Sequence, residues 1–364
     1  MKKRTRLRNG VALFSLLASA AACADELELP PLTIETQWTQ IGVEDEFHHP
    51  CAGDLAAVDA YVDELRDLAG LEPAPVDVYL LTDMGDIGRF CGYDESSFLF
   101  GCFSRGRGIA TFWSALRHEI GHSFAASELD FGGRAFLSEG FAEVAAGRHT
   151  AFASYPMQVS DLDLDDDELR SSVGAHRFAR YLVETRGWPS YVAAMRHGDL
   201  EGVFGMSEAA LVEEFEQEAP ALYPGRNPCD HPVLPEVAEG EWEETMTFSC
   251  GSEGATQYEF SSWSATRDAA LWRSVTLEEG RYGLEVEGGA QALIVQCQTE
   301  VLAEEPSLVS RLDVRNEADN RRQDVPLAAG VEHELEVAAG TYRVGISSGT
   351  EGQATMRVHL RRLE

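Results

Sequence analysis

ALRHEIGHSF, at residues 115–124, carries Ala115, Leu116, Ile120 and Phe124 at helical spacing and predicts a helix over residues 113–126. Four residues advance an α-helix by one turn plus about 40°, so His118 and His122 project from one face and can share a metal ion through their ring nitrogens. Glu119, beside the first of them, is angled toward the same point as a general base. A catalytic zinc ion needs a third protein ligand and an open position. AFLSEGFAEVAAG, at residues 135–147, predicts a second helix that could supply Glu139. One turn further along, Glu143 is placed to accept the far ring N–H of a ligand histidine and so fix its tautomer.

On the N-terminal side, residues 51–69 show a helical face of Leu55, Val58, Tyr61, Val62, Leu65 and Leu68. Residues 76–81, 98–103 and 108–112 read as strands. Cys91 and Cys102 flank a segment that a hairpin could close, and are expected to pair. On the C-terminal side, helices are expected over 168–186, 189–197 and 207–218.

Composition then shifts. Residues 223–240 are proline-rich and read as a linker. Residues 241–364 alternate with period two, and LEEGRYGLEV (277–286) is echoed by VAAGTYRVGI (337–346). In each, a strand meets a Gly turn and Tyr opens the next strand. An all-β sandwich is expected there.

The chain begins with a basic run, Lys2 to Arg8, and an apolar run over residues 11–22 that is too short to span a bilayer. Residues 1–22 therefore read as an export signal. Two readings of its end stand. Ala20-Ala21-Ala22 suits ordinary secretion; small residues directly before Cys23 resemble a bacterial lipobox, with Cys23 lipidated and residues 23–35 a tether. Setting Cys23 aside leaves six of the seven cysteines, an even number suited to disulfides in an oxidising compartment. Besides Cys91 and Cys102, four cysteines allow three connectivities. Among lipoproteins, Ala24 after Cys23 points to the outer membrane.

HEIGH followed by LSEGFAE resembles the gluzincins, metallopeptidases with a downstream Glu ligand. The resemblance implies an α+β, zincin-like catalytic domain over residues 36–222, followed here by the sandwich. It implies Zn²⁺ on His118, His122 and Glu139, with Glu143 behind a ligand histidine. Glu119 would activate a zinc-bound water for hydrolysis of a peptide or protein substrate. An oxyanion donor is expected from the helical half, with His176 the first candidate and Tyr155 the second. A strand just before the first helix, residues 108–112, is expected to line the cleft. The C-terminal part resembles pre-peptidase C-terminal domains.

Other features point elsewhere or nowhere. With 62 acidic residues against 29 basic ones and a net charge of −33, the surface would repel phosphate backbones, and no nucleic-acid partner is expected. The acidic run at 161–168 lacks the Gly and the position-12 Glu of a calcium loop. His48 and His49 lie beside Cys51, which is expected in a disulfide. Two rival classes remain, a non-catalytic zinc-stabilised envelope lipoprotein and a β-sandwich adhesin or binding module.

Overall fold

The computed structural model describes residues 27–44, 49–70, 72–93, 99–128, 135–146, 173–219, 231–257, 269–288, 291–296, 327–328, 330–348 and 352–363. Its first half is a mixed sheet with helices on both faces. Strands β1 (Leu32–Glu35) and β2 (Thr39–Val43) precede helix α1 (Ala52–Ala69); β3 (Val76–Leu80) leads to α2 (Met84–Cys91); β4 (Gly101–Ser104) and β5 (Gly108–Thr111) form a hairpin. The sheet order is β1-β2-β3-β5-β4, with β2, β3 and β5 parallel and β1 and β4 antiparallel at the edges.

Strand alternation decides which face each residue serves. Ile41, Val78, Leu80 and Ile109 enter the main core with α1. Tyr79, Ala110 and Cys102 face the other way, against Ile87 and Phe90 of α2. The Cys91–Cys102 disulfide, as expected from sequence, ties α2 to β4.

A 3-10 turn at Trp113–Ala115 opens into α3 (Leu116–Glu128), which carries the HEIGH sequence, and α4 (Ala135–Ala145) carries LSEGFAE. Helices α5 (Val173–Arg186), α6 (Trp188–His197), α7 (Leu200–Phe204) and α8 (Glu208–Glu218) complete this half. Phe136, Phe178, Tyr181 and Phe215 interlock within its core. Both α2 and α7 went unread in the sequence, because each is short and starts on an Asp cap rather than on a long apolar period.

The second half is all-β: β6 (Glu236–Ala238), β7 (Glu241–Phe248), β8 (Ala270–Leu277), β9 (Gly280–Glu287), β10 (Gln291–Gln296), β11 (Leu327–Ala328), β12 (His333–Val337), β13 (Gly340–Ser347) and β14 (Ala354–Arg362). They form two antiparallel sheets, β11-β10-β13-β8 and β12-β9-β14-β7-β6, which enclose one apolar core of Val275, Leu284, Val344, Ile346, Val358 and their neighbours. The chain is thus α+β followed by a β-sandwich-like region.

The sequence echo has a structural cause. At both Gly turns the chain crosses from one sheet to the other, β8 to β9 and β12 to β13. At each crossing the buried Tyr donates its hydroxyl hydrogen to the carbonyl four residues back: Tyr282 to Glu278 at 3.1 Å, Tyr342 to Ala338 at 2.8 Å. A large ring fills the corner while its polar tip satisfies the turn.

Two sequence expectations are corrected. Residues 32–35, expected in a tether, are strand β1, and Leu27 and Leu29 pack on the α2 cluster. Residues 231–240, expected in the linker, belong to the β region. Leu234 is fully buried and donates its N–H to Ser274, while β6 pairs with β7. Pro232 and Pro235 lie along strands β8 and β7 and accept from the N–H groups of Ser274 and Glu243, positions where Pro is tolerated because it need donate no ladder bond.

Candidate metal centre

Close packing of α3 against α4 builds the site. A Cβ on Gly121 would lie 2.9 Å from the Cα of Ala142; the two small residues let the helix backbones approach. Tyr61 of α1 donates to the carbonyl of Arg117 at 3.0 Å, and Tyr191 of α6 donates to the carbonyl of Leu137 at 2.9 Å. Arg105, in the β4–β5 turn, donates to the carbonyl of Ala126 near the C-terminal end of α3. Both motif helices are therefore held from outside as well as by each other.

His118, His122 and Glu139 converge. The two Nε2 atoms are 3.0 Å apart, and Oε2 of Glu139 stands 3.5 Å from that of His118 and 3.4 Å from that of His122. A tetrahedral ion with nitrogen and oxygen at about 2.0–2.2 Å sets its donors roughly 3.3–3.6 Å apart. Two edges of the triangle match that spacing and the third is slightly tight. Two imidazole nitrogens facing each other beside a carboxylate are the donor set that a divalent cation joins, so the residues fit a metal.

The outer ring nitrogens are also engaged. Nδ1 of His118 lies 3.1 Å from Oε1 of Glu143, within ion-pairing distance although off the line of a good hydrogen bond. Nδ1 of His122 is 3.1 Å from the hydroxyl of Ser138. Burial pulls the His118 imidazole toward the neutral form, but Glu139, Glu143 and Glu119 together push it up to about 9. Burial likewise favours the neutral acid at Glu139, and the two histidines outweigh it, holding that carboxyl well below the ordinary range. A half-enclosed cluster of three carboxylates and two imidazoles suits positive charge at its centre.

Glu119 is buried, and its side chain lies against β4. A Cβ on Gly101 would sit 2.8 Å from both Cγ and Oε1 of Glu119. Among the described residues the strand that lies at the sheet edge beside Glu119 is therefore β4. Residues 108–112, expected to line the cleft, are instead centred on β5, which is fully buried between β3 and β4.

Sequence reading placed His118, His122, Glu119, Glu139 and Glu143 where the fold brings them together. It missed Gly101, Gly121, Ser138 and Ala142. For Gly121 and Ala142 the available signal was size, since a small residue between chemistry-bearing residues on a helix marks close backbone approach. The backbone of His176 lies in the first turn of α5, but its side chain is not among those described; Tyr155, Cys23 and the acidic run at 161–168 lie outside the described residues. Among the described residues a second disulfide joins Cys51 to Cys250, while Cys229 and Cys297 lie outside the described residues.

Ser138 makes a testable contribution. Ser138→Ala removes the only hydrogen bond described at Nδ1 of His122 and is expected to weaken cation binding about tenfold, the low end for such orienting partners. Ser138→Thr should restore most of it. Competition titration against a chromophoric chelator measures the change, and equal affinities for wild type and Ser138→Ala would remove Ser138 from the site.

Comparisons with protein-family models, with curated proteins and with solved structures found no match to this chain.

Proposed function

We propose that this chain is an exported zinc metallopeptidase. The observation that carries the reading is the convergence of His118, His122 and Glu139, with the buried carboxylate of Glu119 packed on β4 and acting electrostatically on His118. Two imidazoles and one carboxylate are the donor set of catalytic zinc sites, which leave a fourth position open. Zinc held there supplies Lewis acidity, polarising a carbonyl and acidifying water.

The chain's own residues do the rest. An extended peptide can add to the open edge of β4 through main-chain hydrogen bonds, which brings its backbone beside Glu119. As general base, Glu119 takes a proton from the attacking water and returns it to the leaving amine. Glu143 and Ser138 hold the two imidazoles in their ligand orientation. His176 stays the proposed oxyanion donor by resemblance alone.

The proposed location is the cell envelope, by a lipid on Cys23, or the exterior if the signal is cleaved without lipidation. The disulfides Cys51–Cys250 and Cys91–Cys102 suit such an oxidising compartment, and no helix among the described residues is long and apolar enough to cross a membrane.

Metal analysis with a peptide-library cleavage assay, with and without chelator, tests the reading. Stoichiometric zinc and chelator-sensitive cleavage are expected. Zinc with no cleavage of any peptide would favour the structural-zinc rival, and no bound metal would favour the binding-module rival.

A further inference from the structure

The start of α1 is capped by the β region. The first amides of a helix have no partner within it. Here Ala52 donates its N–H to the carbonyl of Cys250 at 2.9 Å, and Gly53 donates to that of Ala255 at 2.7 Å. Asp54, almost fully buried, accepts at Oδ2 from the backbone N–H of Cys51 and of Gln257, both at 2.8 Å. Cys51 is bonded to Cys250 across 199 residues of chain and lies within the apolar core of the β region. The approach leaves no room for a side chain at Gly53, where a Cβ would meet the carbonyl oxygen of Ala255 at 2.6 Å.

From this joint α1 runs directly to the metal-site helix. Val58, Tyr61, Val62 and Leu65 share a core with Leu116, Ile120 and Phe124 of α3. The Tyr61 hydroxyl bonds the carbonyl of Arg117, the residue just before His118. Taken away from the β region, α1 would lose the partners of two first-turn amides and the Gln257 N–H bond to Asp54 at one end while still packing on α3 at the other.

We infer that the β region is a fixed brace for the metal-site half rather than a module swinging on a linker, and that it acts on α3 through the Cys51–Cys250 joint and α1. Covalent linkage alone would not require this, since domains on a common chain commonly unfold separately. The shared backbone hydrogen bonds and the absence of space at Gly53 are what couple the two halves.

The test uses the full chain without added metal, so it is independent of peptidase activity. Calorimetry of the wild type should show one unfolding transition spanning both halves. Hydrogen exchange should show Gly53→Leu loosening the first turn of α1 and accelerating exchange in α3 by roughly tenfold or more. The pair Cys51→Ala with Cys250→Ala should act in the same direction, and Gly53→Ala, adding one carbon, should give a smaller effect of the same pattern if the larger changes prevent folding. Two separate transitions in the wild type would overturn the inference. So would Gly53 variants that loosen the start of α1 while exchange in α3 stays at the wild-type rate.

Discussion

Glu119→Gln is expected to lower peptide hydrolysis by about 10²–10⁴-fold, the range for removing a general base, while zinc content stays stoichiometric. The substitution keeps the shape of the side chain, which matters because Gly101 of β4 leaves no slack beside Cγ and Oε1. It removes the capacity to take a proton, since a neutral amide is a very poor base at neutral pH. The donor triangle is untouched, because Glu119 is not one of its three members. Steady-state kinetics on the best library peptide should therefore show the loss in kcat, with KM little changed. A variant that holds zinc and cleaves at the wild-type rate would end the assignment of Glu119 as base. Loss of zinc along with activity would mean that Glu119 supports the ion itself.

Gly121→Leu should produce the second large effect. Its Cβ would stand 2.9 Å from the Cα and 3.2 Å from the Cβ of Ala142, so the two motif helices would have to separate. Overpacking of this kind costs about 1–3 kcal/mol. That cost is partly offset by the gain of about 1 kcal/mol when Gly is replaced inside a helix. The larger consequence is chemical. Glu139 rides on α4 and the two imidazoles on α3, so separating the helices opens the 3.4 and 3.5 Å edges of the triangle. Cation affinity should fall by at least about 100-fold, more than for loss of a single orienting contact. Denaturant titration and metal competition together test this. A variant that loses affinity only in proportion to lost stability would show that the interhelical distance does not set the site. Gly121→Ala should fall between the two.

Residues close together in sequence explain most of what was legible. His118, Glu119 and His122 lie within one helical turn and a fraction, so helix geometry alone decides that they share a face. The same holds for Glu139 and Glu143. The Gly-Tyr echo was legible as a repeat because each corner is a local unit, with the Tyr hydroxyl bonding a carbonyl only four residues away. Short elements were lost: α2 and α7 have too few residues to show a period. Residues 27–35 and 231–240 were read as connectors because their pairing partners, β2 and Ser274, are not encoded in their own composition.

By itself the sequence determined the helical phase of His118, His122 and the carboxylate of Glu119 beside them, the Cys91–Cys102 pair and the change from α+β to β. Tertiary structure alone decided how α4 meets α3, through Gly121 and Ala142, and that Ser138 attends His122 while Glu143 attends His118. It also decided that β4 and not β5 is the edge strand at Glu119 among the described residues, and that Cys51 joins Cys250. The physical reason is the range of the interaction. A turn of helix is specified by neighbours within four residues. The approach of two backbones, the edge of a sheet and a disulfide across 199 residues depend on packing between segments whose separation in the chain carries no information about their distance in space.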